Sequence, residues 1–382
     1  MTPPPTLLCA VSFPANTGFA WDFIERLYAR MADRLAGYGV RTVVGYPSIP
    51  QPPRTLEGSA GVPMVLDMRM RSARSVAQLA AFIRRENVQA IYFTDQPAWS
   101  PWYPLLRAAG VRKIVVHDHT SGERTGPTGA RRIAKKVLVN TPGLAADVVI
   151  AVSDFVADRL RDVALVSPDK ITRVWNGIDP IAAGAEPTTP DVRTVLGIGA
   201  DVNLVGCACR ATPEKGVDVL FDAFDCMRRS LPAEAALVYI GSGPQISVLN
   251  DLRDSLSSTD CIYMAGYMPG AADLLRSANV CVVPSVWQDA FPLAVLEMMA
   301  RGRAVIATRV GGVPEMIEDG VSGILVPPND ARTLSKRIGE VLASPALAKR
   351  LGDEARARVG KLFSADRQIS EMLDTFLDVF VP

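Results

Sequence analysis

Residues 284–302, PSVWQDAFPLAVLEMMARG, constrain this chain more than any other stretch. The apolar run Val280 to Val283 reads as a buried strand that stops at Pro284-Ser285. A short loop with one carboxylate, Asp289, follows, and a helix then opens with Pro292 in its first turn, where a missing N–H costs nothing. Leu293, Leu296 and Ala300 recur at helical spacing, which predicts one face turned to a core, with Glu297 beside it. A helix start presents unpaired N–H groups and partial positive charge, so it suits a phosphate or diphosphate. Carboxylates just before that start and one turn inside it suit the hydroxyls of a phosphorylated sugar ligand. A buried helix with two incidental acids fits the same letters.

The bulk properties bound what surrounds this stretch. A chain of 382 residues suffices for two domains, each with its own core. A formal net charge of +1 argues against nucleic acid as a partner. No apolar run reaches the roughly 20 residues that a bilayer span needs. The opening MTPPPTLLCAVSF lacks a basic segment and a long apolar core, so no secretory signal is expected. Six cysteines include no CxxC pair, which predicts reduced thiols in a cytoplasmic protein and no zinc site.

From the N-terminus, Leu7 to Phe13 reads as a strand, Pro14 to Gly18 as a loop and Phe19 to Tyr38 as a helix with Phe23, Leu27, Met31 and Leu35 on one face. Strand, glycine-bearing loop and helix open a doubly wound fold, but the GxGxxG spacing of a dinucleotide site is missing. Thr42 to Tyr46 reads as a second strand, followed by a loop containing Pro47, Pro50, Pro52, Pro53 and Pro63. Trp99, Trp102 and Tyr103 suit either packing or stacking on an acceptor. Lys113 to Val116 is strand-like and ends at His117-Asp118-His119, which hold the only two histidines. Strand ends are where open α/β sheets gather ligands. A structural role, a ligand contact and a two-histidine metal site all remain open for that pair. Residues 129–139 then read as a basic amphipathic helix, suited to an anionic lipid surface or to plain solvation.

Residues 180 to 191, with Pro180, Pro187 and Pro190, read as an interdomain linker, after which strand, loop and helix begin again at Asn203. The predicted domains are 1–182, joined by a returning C-terminal helix 364–382, and 183–363.

The segments Asp289-Ala290-Phe291-Pro292 to Glu297, Arg210 to Lys215-Gly216, Gly241-Ser242-Gly243-Pro244, Gly311-Gly312-Val313-Pro314-Glu315 and Asn176-Gly177-Ile178-Asp179 together resemble retaining glycosyltransferases of family 4. That family carries Glu, seven residues, then Glu; here Asp289 stands for the first acid and Pro292 for a glycine. Cys209 likewise stands for a glycine before Arg210, and Trp175 for a proline before Asn176. The resemblance implies α/β GT-B architecture: two Rossmann-like parallel-sheet domains facing a central cleft, the first for the acceptor and the second for a nucleotide-sugar donor. It implies that Arg210, Lys215 and the N–H groups of Phe291, Leu293 and Ala294 hold the donor diphosphate. Glu297 would hold the ribose, with Gly266, Tyr267 and Met268 near the base. His117 and Asp289 would be the catalytic pair at the sugar, and Asn16, Thr17 and Gly18 would lie near donor and acceptor.

The implied reaction is transfer of a hexose, with retained configuration, from a nucleoside diphosphate to a saccharide, lipid-linked or small-molecule acceptor, in polysaccharide or glycolipid assembly. No Asp-x-Asp occurs, so no cofactor and no metal are expected, and cations offset the leaving diphosphate instead. An epimerase or hydrolase of nucleotide sugars, or a non-catalytic nucleotide-sugar-binding protein, would carry the same motifs. The expected place is the cytoplasm, peripheral at the inner membrane face through residues 129–139.

Overall fold

The computed structural model describes residues 3–70, 72–179, 181, 189–230 and 234–380. Most of the expected linker, including Pro180 and Pro187, lies outside the described residues. The chain divides into two compact units. One comprises the chain up to Thr120, Arg124 to Trp175 and Asp366 onward; the other comprises Ser121–Glu123 and Asn176–Ala365.

The first unit is built on β1 (Thr6–Ala10), β2 (Arg41–Tyr46), β3 (Gly61–Val65), β4 (Val88–Thr94), β5 (Lys113–Asp118), β6 (Val148–Ala151) and β7 (Ile171–Arg173). They pair in the order β3-β2-β1-β4-β5-β6-β7, all parallel. Strands covered on both faces read as unbroken apolar runs, as TLLCA and VVIA do, because no face meets water. Leu27, Met31 and Leu35 of the helix Phe19–Ala36 are buried in this core. Ile369, Met372 and Phe376 of the C-terminal segment join them.

The second unit has β8 (Asn203–Ala208), β9 (Ala235–Ile240), β10 (Ile262–Met264), β11 (Val280–Val283), β12 (Ala304–Thr308) and β13 (Ile324–Val326). Their order is β10-β9-β8-β11-β12-β13, again all parallel. Leu220, Phe221 and Phe224 of the helix Val217–Ser230 lie fully buried in its core.

Several local expectations change. β3 falls inside the stretch expected to be a proline-rich loop: Pro63 pairs with Val44, tolerated because β3 is an edge strand with no ladder on its outer side. The expected final helix is two pieces, Ala365–Asp374 and Leu377–Phe380, parted at Thr375-Phe376. The helix Leu293–Ala300 has no single core-facing stripe, since Val295, Leu296, Met298, Met299 and Ala300 are all buried while Leu293 is half-buried. Pro292 is its cap residue, with extended backbone. The division between units falls at Trp175/Asn176 instead of at 182. Ile178 exchanges backbone hydrogen bonds with Phe363 and Ala365, at 2.9 Å each, which ties this turn to the second unit. Gly177 must be glycine there, because a Cβ would sit 2.4 Å from the Ser364 carbonyl oxygen. Trp175 instead stays with the first unit, where the Arg173 guanidinium lies 3.6 Å above its ring.

Phe376, fully buried and edge-on to Tyr92 at 5.9 Å, is the anchor of the C-terminal segment in the first unit. Phe376→Ala is expected to lower that unit's unfolding free energy by about 3–5 kcal/mol in a urea titration. A loss near zero would show that the segment is not part of that core.

Candidate active site

In the second unit the strand order reverses between β8 and β11, the switch point beside which open α/β sheets bind ligands at their C-terminal strand ends. The loop leaving β8 carries Arg210 and Lys215, and the loop leaving β11 carries Asp289. Lys215 Nζ lies 2.5 Å from Asp289 Oδ2, with the two side chains 22% and 10% exposed. Backbone contacts lock the same two loops: Val286 N–H donates to the Glu214 carbonyl at 2.9 Å. Gly216, at φ 61°, lets this happen, since a Cβ there would meet the Pro284 carbonyl oxygen at 2.3 Å.

The loop after β12 closes on the same carboxylate-bearing turn. Gly312 N–H donates to the Asp289 carbonyl at 2.9 Å and Gly311 N–H donates to Gln288 Oε1 at 2.5 Å. Ser121 completes the shell: its hydroxyl donates to Asp289 Oδ1 at 3.3 Å and accepts from Ala290 N–H at 3.2 Å. Gly122 N–H donates to the Gln288 carbonyl at 2.6 Å.

Beyond this turn the helix Leu293–Ala300 begins, and its first N–H groups have no intrahelical acceptor. The Phe291 carbonyl accepts from Asn176 Nδ2 at 3.4 Å. Glu297 sits half-buried on that helix, and Arg210 is exposed. Gly266 accepts from Gly241 N–H at 2.8 Å, while Tyr267 beside it is 64% exposed and Met268 half-buried. Lys215 and Asp289, expected to act on different parts of a ligand, are thus a directly joined pair.

The first unit holds the remaining expected residues. His117 lies inside β5, opposite Thr94, not beyond its end, and it is fully buried. Its Nδ1 is 2.5 Å from the Tyr92 hydroxyl, and its Nε2 has no hydrogen-bond partner among the described residues. Burial, then the neighbouring His119, hold its pKa well below the usual histidine value, so the neutral imidazole prevails near pH 7. The two imidazoles lie 3.9 Å apart between centroids with their planes tilted by 40°, and the His119 backbone N–H donates to Asp95 Oδ1 at 2.7 Å. Among the described residues no group of three or more His, Cys, Asp or Glu is arranged to hold a metal.

Asn16, at φ 60°, spends its amide on the carbonyls of Gln51 and Pro52 and accepts from Arg54 N–H at 3.1 Å, so it braces the proline-rich loop. The Thr17 hydroxyl donates to the Pro14 carbonyl at 2.5 Å, and Gly18 caps the helix Phe19–Ala36 at φ 126°. Tyr103 packs on Phe93 and its hydroxyl donates to the Pro97 carbonyl, so it is a core residue.

Residues 129–139 fall in the helix Gly129–Asn140, where Val139 alone is fully buried among its members. Ala130, Ile133, Ala134 and Val137 form an exposed apolar stripe at steps of three and four, with Ile133 69% and Val137 59% exposed. Arg131, Arg132 and Lys136 flank it, and the helix has no acid. Lys135 and Arg132 tie it down by donating to the carbonyls of Val163 and Asp162.

Removing Lys215 would strand a nearly buried carboxylate. Lys215→Met is expected to destabilise the second unit by about 3–5 kcal/mol, and adding Asp289→Asn should recover much of the loss. Denaturant unfolding of the two single variants and the double variant reads the coupling, and additive effects would remove the pair from this account.

Residues 24–181 match the family model described as glycosyltransferase family 4, and residues 189–358 match that of glycosyl transferases group 1. A GDP-mannose-dependent alpha-(1-6)-phosphatidylinositol monomannoside mannosyltransferase of Mycolicibacterium smegmatis is 28% identical, over 73% of this chain and 74% of that one. A D-inositol 3-phosphate glycosyltransferase of Saccharomonospora viridis is 31% identical over 60% of this chain, spanning 55% of its own length. Among solved structures, a glycosyltransferase from Rickettsia africae superposes with a TM-score of 0.83 at 20% identity, covering 99% of both chains. The Anabaena protein HepE, solved in complex with UDP, does so at 0.77 and 18% identity, covering 98% of this chain and 100% of that one. The two structures share the fold, and the two family matches together run through both units: this chain belongs to the group 1 glycosyltransferases of family 4 type, with the GT-B fold.

Proposed function

We propose that this chain is a retaining, metal-independent transferase that moves a hexose from a nucleoside-diphosphate sugar to an acceptor hydroxyl. The observation that carries the reading is the joining of Lys215 and Asp289 at the switch point of the second unit, immediately before a helix start. Arg210, Lys215 and the N–H groups of Phe291, Leu293 and Ala294 take the diphosphate in this reading. Cations and fixed amides there offset the charge that builds on the leaving group, which is the work a metal does in other transferases. Glu297 takes the ribose hydroxyls, the Gly266–Met268 turn lies by the base, and Asp289 and His117 take the sugar. Retention follows if the acceptor attacks on the face the diphosphate leaves, with a diphosphate oxygen accepting the hydroxyl proton.

The acceptor we propose is lipid-linked, in glycolipid or polysaccharide assembly at the cytoplasmic face of a membrane. No helix among the described residues is long and apolar enough to cross a bilayer. The exposed stripe of Ile133 and Val137 with its basic flanks supports a helix lying in an anionic lipid surface. The mycobacterial relative is named for a phosphatidylinositol-linked acceptor, which accords with that choice.

Incubation with UDP-, GDP-, ADP- and dTDP-sugars in the presence of a chelator, with and without lipid acceptors, tests the reaction. Acceptor-dependent release of nucleoside diphosphate is expected; free sugar or an epimer formed without acceptor would replace transfer by hydrolysis or epimerisation. Glu297→Ala is expected to weaken nucleoside diphosphate binding by about 1.5–3 kcal/mol, the worth of hydrogen bonds to a charged group. Unchanged affinity in calorimetry would remove the ribose role. Ile133→Ser with Val137→Ser should abolish sedimentation with phosphatidylglycerol vesicles; vesicles that never bind the parent protein would refute the lipid surface.

A further inference from the structure

The buried polar groups of the first unit form a cluster whose hydrogen bonds have a direction. Tyr28 OH is hydrogen-bonded to Thr94 Oγ1 and Tyr92 OH to His117 Nδ1, and the two tyrosine rings pack edge-on at 5.4 Å. Both tyrosines, Thr94 and His117 are buried, and Nε2 of His117 has no partner among the described residues. Burial raises the pKa of both phenols well above the usual tyrosine value, so each keeps its proton.

Counting hydrogens decides which way the bond between Tyr92 and His117 runs. Suppose His117 Nδ1 carried the proton and donated to Tyr92. The Tyr92 hydroxyl hydrogen would then be left buried with no acceptor among the described residues. Run the other way, Tyr92 donates to Nδ1 and its hydroxyl hydrogen has a destination. The imidazole proton then sits on Nε2, and that N–H is the one donor the bond leaves open.

We propose that Tyr92 is a positioning residue: it donates to His117 Nδ1 and so holds the imidazole in the Nε2–H tautomer, with Nε2 a fixed donor to an oxygen of the sugar ligand. The clause about the ligand rests on the glycosyl-transfer reading above; the tautomer does not. A neutral histidine with a set tautomer can stabilise a partly negative oxygen without the reorganisation that a rotating or protonating ring requires. Asp95 and the adjacent His119 hold the other side of the cluster: Asp95 N–H donates to the His117 carbonyl at 2.9 Å, and its carboxylate accepts from the His119 backbone N–H.

The chain has only two histidines, so imidazole nitrogen NMR of the full-length protein labelled at histidine resolves both rings. The expected spectrum has Nδ1 of His117 unprotonated and Nε2 protonated. Tyr92→Phe keeps the ring that packs edge-on against Tyr28 at 5.4 Å, so the fold should survive. In this variant the His117 signals should shift toward a mixture of tautomers. With a turned-over nucleotide sugar, kcat should fall about 10- to 100-fold with the donor KM nearly unchanged. Tyr28→Phe removes an equally buried hydroxyl from elsewhere in the cluster and should leave the tautomer as it was. A proton on Nδ1 in the parent protein overturns the proposal, and so does a Tyr92→Phe variant with an unaltered tautomer or an unaltered kcat. If the parent protein turns over no nucleotide sugar, the glycosyl-transfer reading fails, while the imidazole spectrum still decides the direction of the bond between Tyr92 and His117.

Discussion

The ion pair between Lys215 and Asp289 is the interaction on which the second unit's candidate site depends. Each residue ends a loop from one of the two strands that flank the switch point, and each is largely out of water, so neither charge is tolerable without the other. The pair works only because backbones come unusually close around it. Gly216 against Pro284, Gly243 against Ala211 and Gly311 against Asp289 are all approaches that a Cβ would block, at 2.3, 2.5 and 1.9 Å respectively. Four loops, those after β8, β9, β11 and β12, thus behave as one rigid rim, and the start of the helix Leu293–Ala300 is carried on it. A rim of this kind holds cations and amides at fixed positions, which electrostatic stabilisation of a departing diphosphate needs.

The first unit solves a different problem. Its sheet buries hydroxyls and an imidazole that hydrogen-bond to one another and leave Nε2 of His117 without a partner among the described residues. Thr94 and His117 are opposed in register across β4 and β5, which is how residues far apart in the chain come to share one buried cluster. Elsewhere the same unit leaves a helix almost wholly uncovered, with apolar side chains outward and basic ones beside them.

Much of this was legible in the letters of the chain. Apolar runs gave the parallel strands, and a strand followed by Asp289 and the helix over 293–300 located the rim before any coordinates. What periodicity could not show was whatever depends on neighbours distant in sequence. Pro63 reads as a strand breaker, yet β3 tolerates it because its outer side has no partner strand. Ser121 looks like any loop serine; only folding sets it against Asp289 and Ala290. His117 reads as a strand-end residue, but pairing of β5 continues through Asp118 and draws the imidazole under cover. The burial of the helix over 293–300 on nearly every side was equally hidden, because its composition reports apolarity and not which surfaces will cover it. Asn16 carries a bracing role the letters do not show: its amide donates to the Gln51 and Pro52 carbonyls, far along the chain.

The claim that most needs testing is that the rim of the second unit exists to grip two phosphates. Calorimetric titration of the full-length protein with UDP and UMP, and with GDP and GMP, in a chelating buffer addresses it directly. For one of the two bases, this account predicts that the diphosphate binds at least about tenfold more tightly than the monophosphate, because the second phosphate adds charge-assisted hydrogen bonds. That preference should vanish in Arg210→Ala. Equal affinities for mono- and diphosphate, or a preference that survives the loss of Arg210, would contradict it.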